Sequence, residues 1–214
     1  MNSATRRSPP QVRAVVRELI GALLRPVRTS TRRSRLASLT APACITVTSP
    51  SFADGGDIPI RHAGRGVGAD VSPELHWTGV PDGTRALLLI VEDVDVPLPR
   101  PLWHTAAVMD PQLRHLCEGG LRSGVPGMRL LRTALGKRYS GPRPLSGHGV
   151  HHYRFTVLAL SCPIDPGFRL ARTAFADAAN TVMASGSLTG TLSRPSDAPF
   201  DRTDLRSAGL GERE

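Results

Sequence analysis

Acid, imidazole and phenol side chains stand at the ends of three apolar runs in this chain. The run Ala86 to Val91 ends in Asp93-Val94-Asp95-Val96-Pro97, and a second run opens with Trp103-His104. The third is His151-His152-Tyr153-Arg154-Phe155-Thr156-Val157-Leu158-Ala159-Leu160, directly after the loop Gly141-Pro142-Arg143-Pro144-Leu145-Ser146-Gly147-His148-Gly149. At strand spacing His151 and Tyr153 share a face that Phe155, Val157 and Ala159 continue into a core. If the chain is extended there, Asp93 and Asp95 also share a face, and Pro97 stops the strand. Imidazole and phenol beside a Pro-rich loop build a small polar pocket on a rigid sheet.

The same residues have plainer roles. An Asp-x-Asp after a strand caps a turn, a histidine at a strand start is structural, Trp103 fits a core or rim, and Arg143 and Arg154 read as solvated. Two acids and two imidazoles also suit acid–base hydrolysis or metal binding. However, the chain has no His-Glu-x-x-His, no Gly-x-Ser-x-Gly and no Gly-rich phosphate loop. His151 and His152 would face opposite sides of a strand and cannot easily chelate one ion. The sequence therefore reads as a binding protein with no catalytic residue, metal or cofactor, and an acid–base hydrolase is the alternative.

These residues need a sheet to hold them. Cys44 to Thr48, two segments between Trp77 and Val91 around the turn Val80-Pro81-Asp82-Gly83, Trp103 to Met109, His151 to Leu160 and Ser187 to Ser193 read as strands. Residues 117–150 read as long loops. The period changes over Thr173 to Ala184, which predicts a helix with Thr173 at its start and Phe175, Ala178, Ala179, Val182 and Met183 on one face. The expected fold is mainly β: an antiparallel β-sandwich with peripheral helices and a basic N-terminal helical arm. The expected organisation is an arm and linker over 1–42, a domain over 43–195 and a disordered tail over 196–214.

Six short marks, in one order, resemble the phosphatidylethanolamine-binding protein family in its bacterial Raf-kinase-inhibitor-like (YbhB/YbcL-type) branch. They are Thr48-Ser49-Pro50-Ser51-Phe52 with Asp54-Gly55-Gly56, Val71 to Pro81, the Asp-x-Asp-x-Pro segment, Trp103-His104, Gly141-Pro142-Arg143-Pro144 with His151-His152-Tyr153, and Gly190-Thr191-Leu192. The resemblance implies a β-sandwich and an anion-binding cavity lined by Asp93, Asp95, Pro97, His104, Pro142, His151 and Tyr153. It also implies phospholipid head-group-like ligands, phosphorylated or carboxylated, and a regulatory role toward a protein partner such as a kinase or protease. In such a cavity imidazole and phenol donate to phosphate oxygens, and buried carboxylates fix the imidazole tautomer or keep the ring charged. Asp93 would repel a dianion, so monoanions and zwitterions are favoured, with affinity roughly micromolar to millimolar. Against the family pattern, Val94 and Val96 replace Pro and Ala, Arg143 adds a charge near the rim, His152 stands where Arg is usual, and Leu102 replaces an aromatic residue.

The net charge of +9 is concentrated in residues 1–40, which hold nine arginines and one acid, whereas the remainder holds 18 basic and 17 acidic side chains. A near-neutral body argues against a nucleic-acid groove on the domain. Val12, Val15, Val16, Leu19, Ile20, Leu23 and Leu24 follow helical spacing among arginines. Residues 11–25 therefore suit an anionic membrane surface or packing on the domain, and Pro26 ends the pattern. Residues 28–40 read as a linker. The arginines and Glu18 argue against a secretory signal. Cys44, Cys117 and Cys162 are unclustered core or loop residues and fit a reduced, cytoplasmic protein, peripheral at the membrane if the helix attaches it.

Overall fold

The computed structural model describes residues 10–194, except 38 and 40. The tail expected over 196–214 and the first nine residues lie outside them. Helix α1 spans Pro10–Leu24. The strands are β1 (Ala43–Cys44), β2 (Thr46–Thr48), β3 (Leu75–Thr78), β4 (Ala86–Asp93), β5 (Leu102–Met109), β6 (His115–Leu116), β7 (Met128–Leu131), β8 (Val150–Leu160) and β9 (Val182–Ser193), with helix α2 at Ala171–Ala178 between the last two.

A six-stranded sheet runs β1-β9-β8-β4-β5-β7 and a three-stranded sheet runs β2-β3-β6. Ala86 to Asp93 is buried throughout because β4 is central: one face meets the smaller sheet and the other meets α2. That double burial explains its continuous apolar run. Leu87, Leu89 and Val91 join Trp77, Tyr153, Phe155 and Val157 in the core between the sheets. Leu88 and Ile90 join Trp103, Leu158 and Phe175 beneath α2. The two-sheet, mainly β architecture follows the sequence expectation. One pair departs from the antiparallel rule, since β1 runs parallel to β9, with Ala43 opposite Ala184.

The late helix is shorter than its periodicity predicts. It begins at Ala171, with Leu170 at the N-cap and no side-chain cap, so Thr173 is not the cap. Val182 and Met183 belong to β9, and Val182 pairs with Leu160. Pairing to an eleven-residue strand overrides three helix-compatible residues.

The segment read as a linker is packed on the sheet. Thr29 N–H donates to Val96 O at 3.1 Å, and Leu36 is buried beside Leu88 and Ile90. Ser34 Oγ lies 2.9 Å from Glu92, a fully buried acid that Arg154 also grips. Arg154 is therefore half of a buried ion pair rather than a solvated charge, with its side chain 15% exposed against 0% for Glu92. Arg143 is exposed, as expected. Trp103 is core, edge-on to Phe175 at 5.4 Å. None of the cysteines is core: Cys44, Cys117 and Cys162 are all exposed and unpaired.

Candidate anion site

Three neighbouring strand ends build the site. Asp93 stands opposite Tyr153 on β8 and opposite Leu102 on β5, so the ends of β4, β5 and β8 lie side by side. Between β4 and β5, Val91 pairs with Thr105 while Glu92 pairs with Trp103, which leaves His104 as the additional residue of a bulge. Bulges re-aim side chains. Here Trp103 goes into the core under α2, and His104 meets Tyr153 edge-on with ring centroids 5.4 Å apart.

Asp93 anchors the cluster. Its Oδ2 accepts a hydrogen bond from His151 Nδ1 at 2.8 Å, and its Oδ1 accepts one from the Asp95 N–H at 2.9 Å. The His151 ring stacks over Tyr153 at 6.3 Å. Asp93, His104, His151 and Tyr153 are all at most 4% exposed. The Tyr153 hydroxyl is buried and makes no hydrogen bond of good geometry, although the Asp93 carboxylate and the Arg143 backbone N–H lie close to it. Burial, then the Asp93 carboxylate, pushes that phenol well above its ordinary value, so it remains a donor. His104 Nδ1 donates to Ser140 O at 3.0 Å. Burial holds His104 below its ordinary value of 6.5, opposed by Asp93 and by the Ser140 and Gly141 carbonyls. A neutral ring that donates through Nδ1 keeps Nε2 as an acceptor.

Asp95 does not share the face of Asp93, because residues 94–100 are a series of bends rather than a strand. Its Oδ2 accepts from the His152 backbone N–H at 2.8 Å and lies 2.7 Å from His152 Nδ1, and Arg28 approaches Oδ1 at 3.3 Å. Burial alone would raise the Asp95 carboxyl, but the bonds from His152 and Arg28 outweigh it and hold the carboxyl below its ordinary value. Val94 lines the same outer cleft with Asp95 and His152. Pro97 is half-buried on this loop. Pro142 is buried, and its carbonyl accepts the Gly64 N–H at 2.8 Å.

Two residues that sequence reasoning gave no role complete the arrangement. Asp70, with φ of 60°, accepts the Gly141 N–H at 2.9 Å and fixes the loop before Pro142. His148 Nδ1 lies 2.7 Å from His151 Nε2, and His148 Nε2 lies 2.9 Å from Leu24 O and 3.2 Å from Val27 O. A signal for His148 was present: it stands three residues before His151, between glycines whose φ values of 78° and 96° bend the loop back. Carbonyls only accept, so His148 Nε2 carries a hydrogen. The three links Asp93–His151, His151–His148 and His148–carbonyl need three hydrogens, whereas an ionised carboxylate and two neutral rings bring two. Among the described residues, no group of three or more His, Cys, Asp or Glu side chains is placed to hold a metal ion.

A family model described as phosphatidylethanolamine-binding protein matches residues 48–193. The chain is 33% identical over 127 residues to a UPF0098 protein of Aquifex aeolicus, covering 56% of this chain and 70% of that protein. It is 36% identical over 120 residues to the UPF0098 protein YbhB of Escherichia coli, covering 52% and 75%. The structure of E. coli YbcL, described as a new member of the mammalian PEBP family, superposes with a TM-score of 0.63 at 26% identity, over 71% of this chain and 99% of YbcL. Fold, motif order and the family match agree: this chain belongs to the phosphatidylethanolamine-binding protein family.

Proposed function

We propose that the protein binds a small anion, such as a phosphate or phospholipid head-group-like molecule, in the recess formed by Asp93, His104, His151 and Tyr153, and performs no reaction on it. The observation that carries this reading is the buried Tyr153 hydroxyl, which makes no hydrogen bond of good geometry. A buried hydroxyl left unsatisfied costs about 1–3 kcal/mol, and a ligand oxygen would recover that cost. His151 and Tyr153 supply donors, while His104 Nε2 and Asp93 suit a ligand that retains a proton, which favours monoanions and zwitterions. Members of this family are in general binding proteins rather than enzymes. A regulatory role toward a kinase or protease rests on the family resemblance alone.

The test is a calorimetric titration of the full chain with phosphoethanolamine, for wild type and Tyr153→Phe. Wild type should bind with Kd roughly between micromolar and millimolar. Tyr153→Phe should bind several-fold more weakly and yet unfold at higher urea, with a gain of about 1 kcal/mol from deleting an unsatisfied hydroxyl. Unchanged affinity together with lower stability would show that the hydroxyl serves the fold instead.

A second reading concerns α1. Val16, Ile20 and Leu23 recur on one helical ridge and are 47%, 45% and 79% exposed, so this ridge faces outward while Val15, Leu19 and Leu24 beside it are half-buried. No described helix is long and apolar enough to cross a membrane. We infer a surface contact with anionic lipid. Co-sedimentation with phosphatidylglycerol vesicles should fall at least several-fold in Ile20→Asp/Leu23→Asp; equal sedimentation of both proteins would exclude the contact.

A further inference from the structure

We propose that the segment from the end of α1 to Arg28 is a latch that holds the recess shut, and that an anion and the latch compete for the same nitrogen, His151 Nε2. The proposal rests on the anion reading of the recess. His151 has only two nitrogens. Asp93 takes Nδ1 at 2.8 Å and His148 takes Nε2 at 2.7 Å, so no donor is free on this ring while His148 is in place. The neighbouring Tyr153 hydroxyl is enclosed. An anion that reaches His151 must therefore displace His148.

His148 is not free to leave alone. Its other nitrogen lies at 2.9 and 3.2 Å from the carbonyls of Leu24, the last residue of α1, and of Val27 in the turn beyond it; the Leu24 carbonyl also accepts the Val27 N–H at 2.8 Å. The arm grips the same loop and the start of β8 at three further points. Arg25 Nε donates to Gly147 O at 2.8 Å. Arg28 donates to His148 O at 2.6 Å and to Val150 O at 2.7 Å. Arg28 also pairs with Asp95. The helix lies flush on the loop, since a Cβ placed on Gly21 would stand 1.8 Å from Ser146 O. Gly21 thus permits a backbone contact that no larger residue can keep. Moving His148 takes its Nε2–H away from the Leu24 and Val27 carbonyls, and lifting the arm takes those acceptors away from His148. Two states that exclude one another are coupled reciprocally: arm release tightens anion binding, and anion binding loosens the arm.

The test uses the full chain and inorganic phosphate. Gly21→Ala undocks the helix without touching the recess, and alanine preserves helix propensity. His148→Ala frees His151 Nε2 directly. Both variants should bind phosphate about tenfold more tightly than wild type, as expected when a competent state of roughly one-tenth population becomes the major one. Phosphate should also speed tryptic cleavage of wild type after Arg28. Equal Kd in the three proteins, with cleavage indifferent to phosphate, would overturn the latch and leave the recess as the anion site. Weaker binding in His148→Ala would make His148 a ligand donor and overturn the latch. Absence of binding in all three would overturn the anion reading and the latch with it.

Discussion

Arg154→Met should cost about 3–5 kcal/mol of folding stability, the magnitude seen when one partner of a buried ion pair is removed. Glu92 is fully buried, and its carboxylate depends on Arg154 and on the Ser34 hydroxyl. Without the guanidinium, one hydroxyl would be left against a charge enclosed between the sheet and the 28–36 segment. The expected partner result is that Glu92→Met/Arg154→Met recovers most of the loss, because an apolar pair avoids the desolvation that the ion pair must offset. Urea unfolding of both singles and the double closes the cycle. A single variant that loses less than about 1 kcal/mol would put Glu92 among ordinary surface pairs. The pair ties the arm to β4 and β8, so its loss should also loosen residues 28–36.

His151→Ala should remove anion binding and destabilise the free protein by about 2–5 kcal/mol, since truncating one member of a buried charged hydrogen bond strands the other. The stranded group is the Asp93 carboxylate, which keeps the Asp95 N–H and the nearby Tyr153 hydroxyl but loses its imidazole donor. His148 also loses its Nδ1 partner. Urea unfolding reads the stability change, and Asp93→Asn/His151→Ala should recover part of it by removing the stranded charge. If His151→Ala lost binding with stability unchanged, Asp93 would have to find a new donor on relaxing.

Much of this fold was legible. Val150–Leu160 showed alternation at its polar end and continuous burial beyond, as a strand between two layers must. β4 showed the unbroken run of a central strand. The meeting of Asp93, His104, His151 and Tyr153 was legible through motif order. The role of Asp95 was not, because its face depends on whether residues 94–100 are extended, and they bend. The ion pair of Arg154 with Glu92 was not either, because two charges on neighbouring strands reveal nothing about which layer will cover them. His148 was visible as a residue but not as a relay, since its partners are carbonyls 121 and 124 residues away at the end of α1. Helical periodicity located α1 yet gave its apolar side two destinations; the chain docks α1 through Gly21 and leaves Val16, Ile20 and Leu23 outward.

The recess itself is tested most directly by calorimetric titration of inorganic phosphate into the full-length wild type and into His151→Ala, at a pH where phosphate is largely monoanionic. Saturable heat in the wild type, absent or at least tenfold weaker in the variant, is the expected result. Equal heats in the two proteins would contradict an anion site built on His151.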